Sequence, residues 1–187
     1  MGSFKNLKGV CKVQQGTGVE CLIIAANDLG NTPQTIFEKD GASQGYAAVL
    51  GDKVKIAEPF TYADGKAFAK FTLVPDSGNV TAELIGEAGF QAFKNGFKGM
   101  LKGVGDPQRE WLQELADSCG GAVVLIPRRD GDYNLFGSKI SPVVAKAKLD
   151  GGSKAGDKSG IDIEFEDNSG LIYRTYPKAL NLTILAD

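Results

Sequence analysis

Glu164 and Glu166 are the residues whose type and spacing come nearest to chemistry in this chain. Carboxylates two positions apart on a strand share one face, and a carboxylate pair is what acid–base hydrolysis requires. The run Ile161-Asp162-Ile163-Glu164-Phe165, however, alternates apolar and acidic residues strictly. A half-buried strand with a wet outer face explains the acids without a reaction. Asp130 and Asp132, with Asp157, offer oxygens to a hard cation, but calcium loops need more oxygens at regular spacing. The first two read instead as hairpin-turn acids. Arg128 and Arg129 could meet a phosphate or a neighbour's carboxylate, although a turn arginine is ordinarily solvated. Gly96-Phe97-Lys98-Gly99 has the glycine spacing of an RNA-clamping loop, which needs a helix on each side. Gly65-Lys66 is followed by Ala67 and lacks the upstream glycine of a phosphate loop. Histidine is absent, which removes the commonest general base and metal ligand. The expectation is a protein with no catalytic residue, no metal and no cofactor.

The elements that would position these residues are mostly strands. Ala122-Val123-Val124-Leu125-Ile126 is unbroken, apolar and β-branched, the pattern of a strand buried on both faces. Pro127 ends it, and Arg128 to Asp132 supplies an Asp-Gly reversal into a second strand, Tyr133 to Phe136. Val143 to Leu149 and Ile161 to Phe165 follow, joined by a loop, 150–160. Upstream, Val19 to Ala25 reads as a strand, and Lys53 to Glu58 with Lys66 to Val74 as a hairpin across Ala63-Asp64-Gly65. Ala67, Ala69, Phe71 and Leu73 share a face of its second arm. Asn79 to Ile85 is another strand. Residues 88–104 fit a period of four, through Phe93, Phe97 and Leu101, and equally a period of two. Glycines 89, 96, 99 and 103 decide for a strand, since each costs about 1 kcal/mol in a helix interior. That strand carries Lys94, Lys98 and Lys102 on one face. The one helix predicted spans Pro107 to Ser118, with Asp106 as N-cap, Trp111, Leu112 and Leu115 as the buried stripe, and Gly120 in the left-handed closing position. Two strands, Leu171 to Tyr176 and Leu180 to Leu185, end the chain. The fold class expected is mainly β, an α+β chain forming one domain over 1–187.

Residues 1–18 read as a polar arm, and 26–52 as a long loop broken by Gly30, Pro33, Gly41 and Gly45. A loop that long is functional, ordered by a partner, or merely floppy. A net charge of −2 leaves no basic excess for gripping phosphates in bulk. Cys11, Cys21 and Cys119 have no paired spacing and read as free thiols. Met1 to Cys11 lacks a signal-peptide core and no apolar run approaches a membrane span, so synthesis in a reducing cytoplasm is expected.

The order of elements carries a resemblance. A Thr81-Ala82-Glu83-Leu84 strand leads into Gly86-Glu87-Ala88-Gly89-Phe90-Gln91-Ala92-Phe93, then come the long strand, the helix and the Val-Val-Leu-Ile strand. Gly131-Asp132-Tyr133 with Leu135-Phe136-Gly137, and Gly156-Asp157-Lys158 with Gly160, complete it. From about Glu83 to Tyr176 this resembles the major tail tube proteins of tailed phages, particularly those of long flexible tails. The resemblance implies a β-sandwich or barrel with one flanking helix, closing into hexameric rings that stack into a hollow tube for double-stranded genomic DNA. It further implies a virion protein made in the host cytoplasm, with tail terminator, tape measure and distal tail proteins as neighbours and no membrane. Strands would pair between subunits, and the arm and the 26–52 loop would reach other subunits. No catalytic residue transfers with the family. Lys94, Lys98 and Lys102 depart from it, because related lumens tend to be acidic. Either they pair with acids of the adjacent subunit, or the opposite strand face lines the bore. With Arg128, Arg129, Glu164 and Glu166 they are the candidate lumen or inter-subunit residues. The alternatives are another ring of the same fold, such as a terminator or head–tail connector, a small-ligand-binding β-sandwich, and a hydrolase built on Glu164 or Asp132.

Overall fold

The structure is a computed structural model that describes residues 19–36, 38–39, 53–118, 120–151 and 160–186. The arm at 1–18, most of the second half of the 26–52 loop, Cys119 and Asp157 lie outside the described residues. The fold is mainly β with one helix. Nine strands are β1 (Val19–Ala25), β2 (Ala69–Leu73), β3 (Asn79–Ile85), β4 (Ala92–Lys102), β5 (Ala122–Pro127), β6 (Tyr133–Phe136), β7 (Val144–Asp150), β8 (Gly160–Gly170) and β9 (Arg174–Tyr176). Helix α1 spans Asp106–Asp117. One hydrogen-bonded sheet runs β7-β8-β4-β2-β1-β5-β6-β9, with β3 paired to β4 outside that path. Every strand-to-strand pairing is antiparallel.

The sheet curls over on itself. Phe97 on β4 and Phe136 on β6, with three strands between them in the sheet order, bring their ring centroids to 6.4 Å. Phe165 on β8 likewise meets Phe71 on β2 at 6.1 Å. Strand period explains the rest: Cys21, Ile23, Val124, Phe71 and Ile163 fall on the enclosed face with the rings. The alternate residues Leu22, Ile24, Val123 and Leu125 join a second cluster closed by Phe60, Phe68 and Tyr176. Strands β1 and β5 are therefore buried on both faces, which is why β5 is an unbroken apolar run. Helix α1 closes the first cluster with Trp111 and Leu115, Trp111 lying 5.6 Å from Phe71 between centroids.

Several expected details change. The 53–58 segment does not form a hairpin with 66–74. Ile56 N–H donates to Thr175 O, Thr175 N–H to Val54 O, and Thr35 bridges Ile56, so this segment lies beside β9. The turn at Ala63–Lys66 survives, but β2 beyond it pairs with β1 and β4. Leu180 to Leu185 is not a strand; it makes one parallel bridge, Phe68 with Ile184. Asp106 is the first residue of α1 and not its cap, since Gly105 occupies the N-cap without a side-chain bond. The left-handed residue after the helix is Gly121, at φ 68, not Gly120. Within 26–36, Ala26–Asp28 forms a 3-10 turn and Leu29 bridges Tyr62.

Candidate functional site

The 88–104 segment is the strand its glycines favour, and it organises the candidate site. Strands β3, β4, β8 and β7 lie side by side in that order, alternating in direction. Strand β3 is close to a continuation of β2 along the same side of β4. The break between them turns at Asp76, φ 60, and Ser77 Oγ replaces a backbone acceptor for Met100 N–H. Phe97, Leu101, Ile161, Ile163 and Phe165 face the core. The opposite face of the four strands carries most of their charged residues.

Register fixes who meets whom on that face. Lys98 opposes Glu164, which opposes Lys146; Met100 opposes Asp162, which opposes Lys148; Glu83 opposes Lys94. Lys98 Nζ sits 2.9 Å from Glu164 Oε1, and Glu166 Oε1 receives Lys146 Nζ at 2.8 Å and Lys94 Nζ at 3.9 Å. The hydrogen bond from Lys146 holds the Glu166 carboxyl below the usual carboxylate range, and Lys146, Lys94 and Lys98 add to this through their charge. The same bond raises Lys146. Lys94, Lys98, Lys102, Lys146 and Lys148 thus share a face with Glu83, Asp150, Asp162, Glu164 and Glu166. The face is charge-balanced within one chain, an arrangement different from both readings of the lysine row considered from sequence.

Both borders of this four-stranded region are open. Among the described residues β3 pairs only with β4, and β7 only with β8. Each border strand has seven residues, and all but its second are exposed. An edge of that length, unpaired and wet on both faces, is a template for another chain.

The remaining sequence candidates lie elsewhere. Arg128 is at the β5–β6 loop, where it pairs with Asp130 at 2.8 Å and donates to Thr175 Oγ1. Arg129 is exposed on the same loop. Asp130 Oδ1 accepts Asp132 N–H within the turn, and Asp132 Oδ1 accepts Lys178 N–H, tying the loop to the segment after β9. Among the described residues, no group of three or more His, Cys, Asp or Glu is placed to hold a metal ion. Likewise no described helix is long and apolar enough to cross a membrane.

Sequence reading missed two features. The first is a groove of about 390 Å³ between Thr32–Gln34, the 137–141 loop and the segment from Asp167 to Arg174. Its floor includes Asp167, 3% exposed, whose carboxylate accepts from Ser169 N–H at 2.9 Å, Asn95 Nδ2 at 3.3 Å and Gly137 N–H at 3.4 Å. Asn95, itself buried, donates to Leu171 O and accepts from Tyr173 N–H. Nothing local marks these two polar residues as partners 72 positions apart. The second is a capping box at Thr35 and Glu38, each side chain accepting the other's backbone N–H. The Thr-x-x-Glu spacing was a legible signal for it. Glu38 also holds Arg174 at 2.9 Å, tying this turn to β9. No family model, no curated protein and no solved structure matches this chain.

Proposed function

We propose that the protein is a self-associating structural subunit whose copies join edge to edge into a ring, with rings stacking into a tube that conducts double-stranded DNA. The observation that carries this is the pair of open strands, β3 and β7, at opposite borders of one four-stranded region. Strand direction alternates across that region, so β3 of one copy meets β7 of the next antiparallel, the stronger ladder. The two strands have equal length. Aligned end to end, they set Glu83 against the next copy's Lys146 on the charged face, and Leu84 against its Ala145 on the other. The joint therefore continues the charge alternation already present inside each chain. A contact between unlike edges is heterologous and closes a ring when its rotation closes.

Six copies, the number the tail tube resemblance implies, would contribute four strands each. At ~4.8 Å per strand and ~40° tilt the closed barrel is roughly 48 Å across, wide enough for a hydrated duplex. The charged face suits the bore: equal numbers of opposite charges release few counterions from DNA, so the duplex is not gripped. Location in a virion tail belongs to the same proposal. Electron microscopy of the purified protein over a range of concentrations tests it, with rings or tubes expected. Glu83→Lys, which sets a lysine against the next copy's Lys146 at the joint, should abolish them. A monomer at every concentration, also with virion partners present, overturns the reading. Rings that never stack would place the protein at a tail end or connector instead.

A further inference from the structure

Large apolar side chains exposed on a single chain mark where it is covered in its working state. Here they are not scattered. Leu84, Ile85 and Phe90 lie at the end of the β3–β4 hairpin, and Ile140, Val144, Leu149 and Leu171 lie on β7 or around the groove. Ile184 is the only other large one exposed among the described residues. The two most exposed are Phe90, 88%, at the hairpin tip and Ile140, 85%, on the groove rim.

Strand direction brings these two together. When β3 of one copy lies antiparallel to β7 of the next, Ile85 at the end of β3 comes beside Val144 at the start of β7. The hairpin tip beyond Ile85 then runs past the start of β7, toward the 137–141 loop that precedes it. That loop is one wall of the groove. Ile140 is four residues before Val144, and Phe90 is five after Ile85. A hairpin doubling back between them projects about 8–10 Å beyond the paired strands at ~3.4 Å per residue.

We propose that the groove is the seat of the neighbouring copy's hairpin tip, with Phe90 inserting between Ile140 and Leu171. The insertion locks the edge-paired joint in one register, since a slip of two residues would carry Phe90 about 7 Å away from its seat.

This inference rests on the ring reading, and the experiment separates the two. Two forms of the full chain are made with Cys11 and Cys119 replaced by serine, one carrying Phe90→Cys and the other Ile140→Cys. Mixed under mild oxidation, they are expected to give a cross-linked heterodimer, which neither form gives alone. In parallel, Phe90→Ser should raise the concentration needed for assembly by at least about tenfold, with thermal stability of the monomer unchanged because Phe90 is exposed. Wild-type rings together with absent cross-links and unaltered Phe90→Ser assembly would overturn the docking and leave the ring standing. Wild-type protein that never assembles would overturn both. A small apolar ligand that fills the groove of a stable monomer, with no effect of Phe90→Ser on any association, would assign the groove to ligand binding and overturn the docking.

Discussion

Lys98 Nζ lies 2.9 Å from Glu164 Oε1, and the two are direct partners across the β4–β8 ladder. The lysine row that stands out in the sequence is therefore neutralised within its own chain. Lys98 is 64% exposed, so the pair contributes at most about 1 kcal/mol to folding. On the proposed reading its larger consequence is for DNA. Replacing Glu164 and Glu166 by glutamine together removes the carboxylates paired with Lys94, Lys98 and Lys146 while keeping size and strand pattern. The double variant is expected to fold normally and to retard DNA in gels at ~50 mM salt, losing it by ~200 mM, where the wild type does not retard it. Equal mobility of DNA with both proteins would remove the charge-balance account.

Glu166 and Lys146 set opposite pH limits. The hydrogen bond from Lys146 lowers the Glu166 pKa from 4.5, so its stabilising effect is complete above that value and is lost as pH falls through the lowered one. Lys146 is raised from 10.5, so the same contact persists below that value and is lost as pH rises through the raised one. Lys146→Met removes the contact that sets both limits. Melting curves of wild type and variant should converge at acid pH and separate above roughly pH 4.5. Curves that stay parallel from pH 3 to pH 8 would count against the pair.

Trp111 joins α1 to the curled sheet through Phe71, and it is 2% exposed. It is also the chain's one tryptophan, so its emission reports on the surroundings of this one ring. Phe71→Ala should cost about 3–5 kcal/mol in urea unfolding and shift the Trp111 emission to the red. A large stability loss without the shift would mean that the helix packs elsewhere.

Asp167 is held by backbone N–H donors and the Asn95 amide, at the junction of β8, the 137–141 loop and the groove. Asp167→Ala strands those donors and should cost about 1–3 kcal/mol. Asp167→Asn keeps one acceptor and should fall between that and the wild type. Because the groove shares this residue, both variants should also weaken assembly more than their stability loss accounts for. Assembly that tracks stability alone would separate Asp167 from the joint.

Much of the sheet was legible because its signals are local. The apolar run of β5, the alternation in β8 and the glycines of β4 each name a strand without reference to the rest. What was not legible depends on partners far away. Residues 53–58 look like half of a hairpin, yet their partner is Thr175, more than a hundred positions on. The end of α1 was misplaced by one residue because Gly120 and Gly121 both offer a left-handed turn, and only Gly121, pressed against Pro142 and Val143, takes it. The lysine face was read correctly as a face, but its counter-charges came from β8 and β7, whose register no local pattern states. Asn95 and Asp167 were invisible for the same reason. The apolar residues at the groove and hairpin tip looked like ordinary strand and loop positions until their exposure could be seen together.

Gly86 offers a final test, because it shapes the hairpin tip without touching any apolar contact. It has φ 99, and a Cβ there would collide with the backbone oxygen of Phe90. Only glycine relieves both constraints, so the turn that closes with Phe90 N–H donating to Glu87 O depends on it. Gly86→Ala should cost the isolated chain little, since the tip is exposed and makes no core contact. It should nevertheless displace Phe90 by enough to miss a seat that admits one side chain. The expected outcome is a melting temperature within a few degrees of wild type, an assembly threshold raised about as much as by Phe90→Ser, and no further effect when the two changes are combined. Additive effects would mean that the glycine and the aromatic ring act on different contacts, and the tip would then not work as one unit.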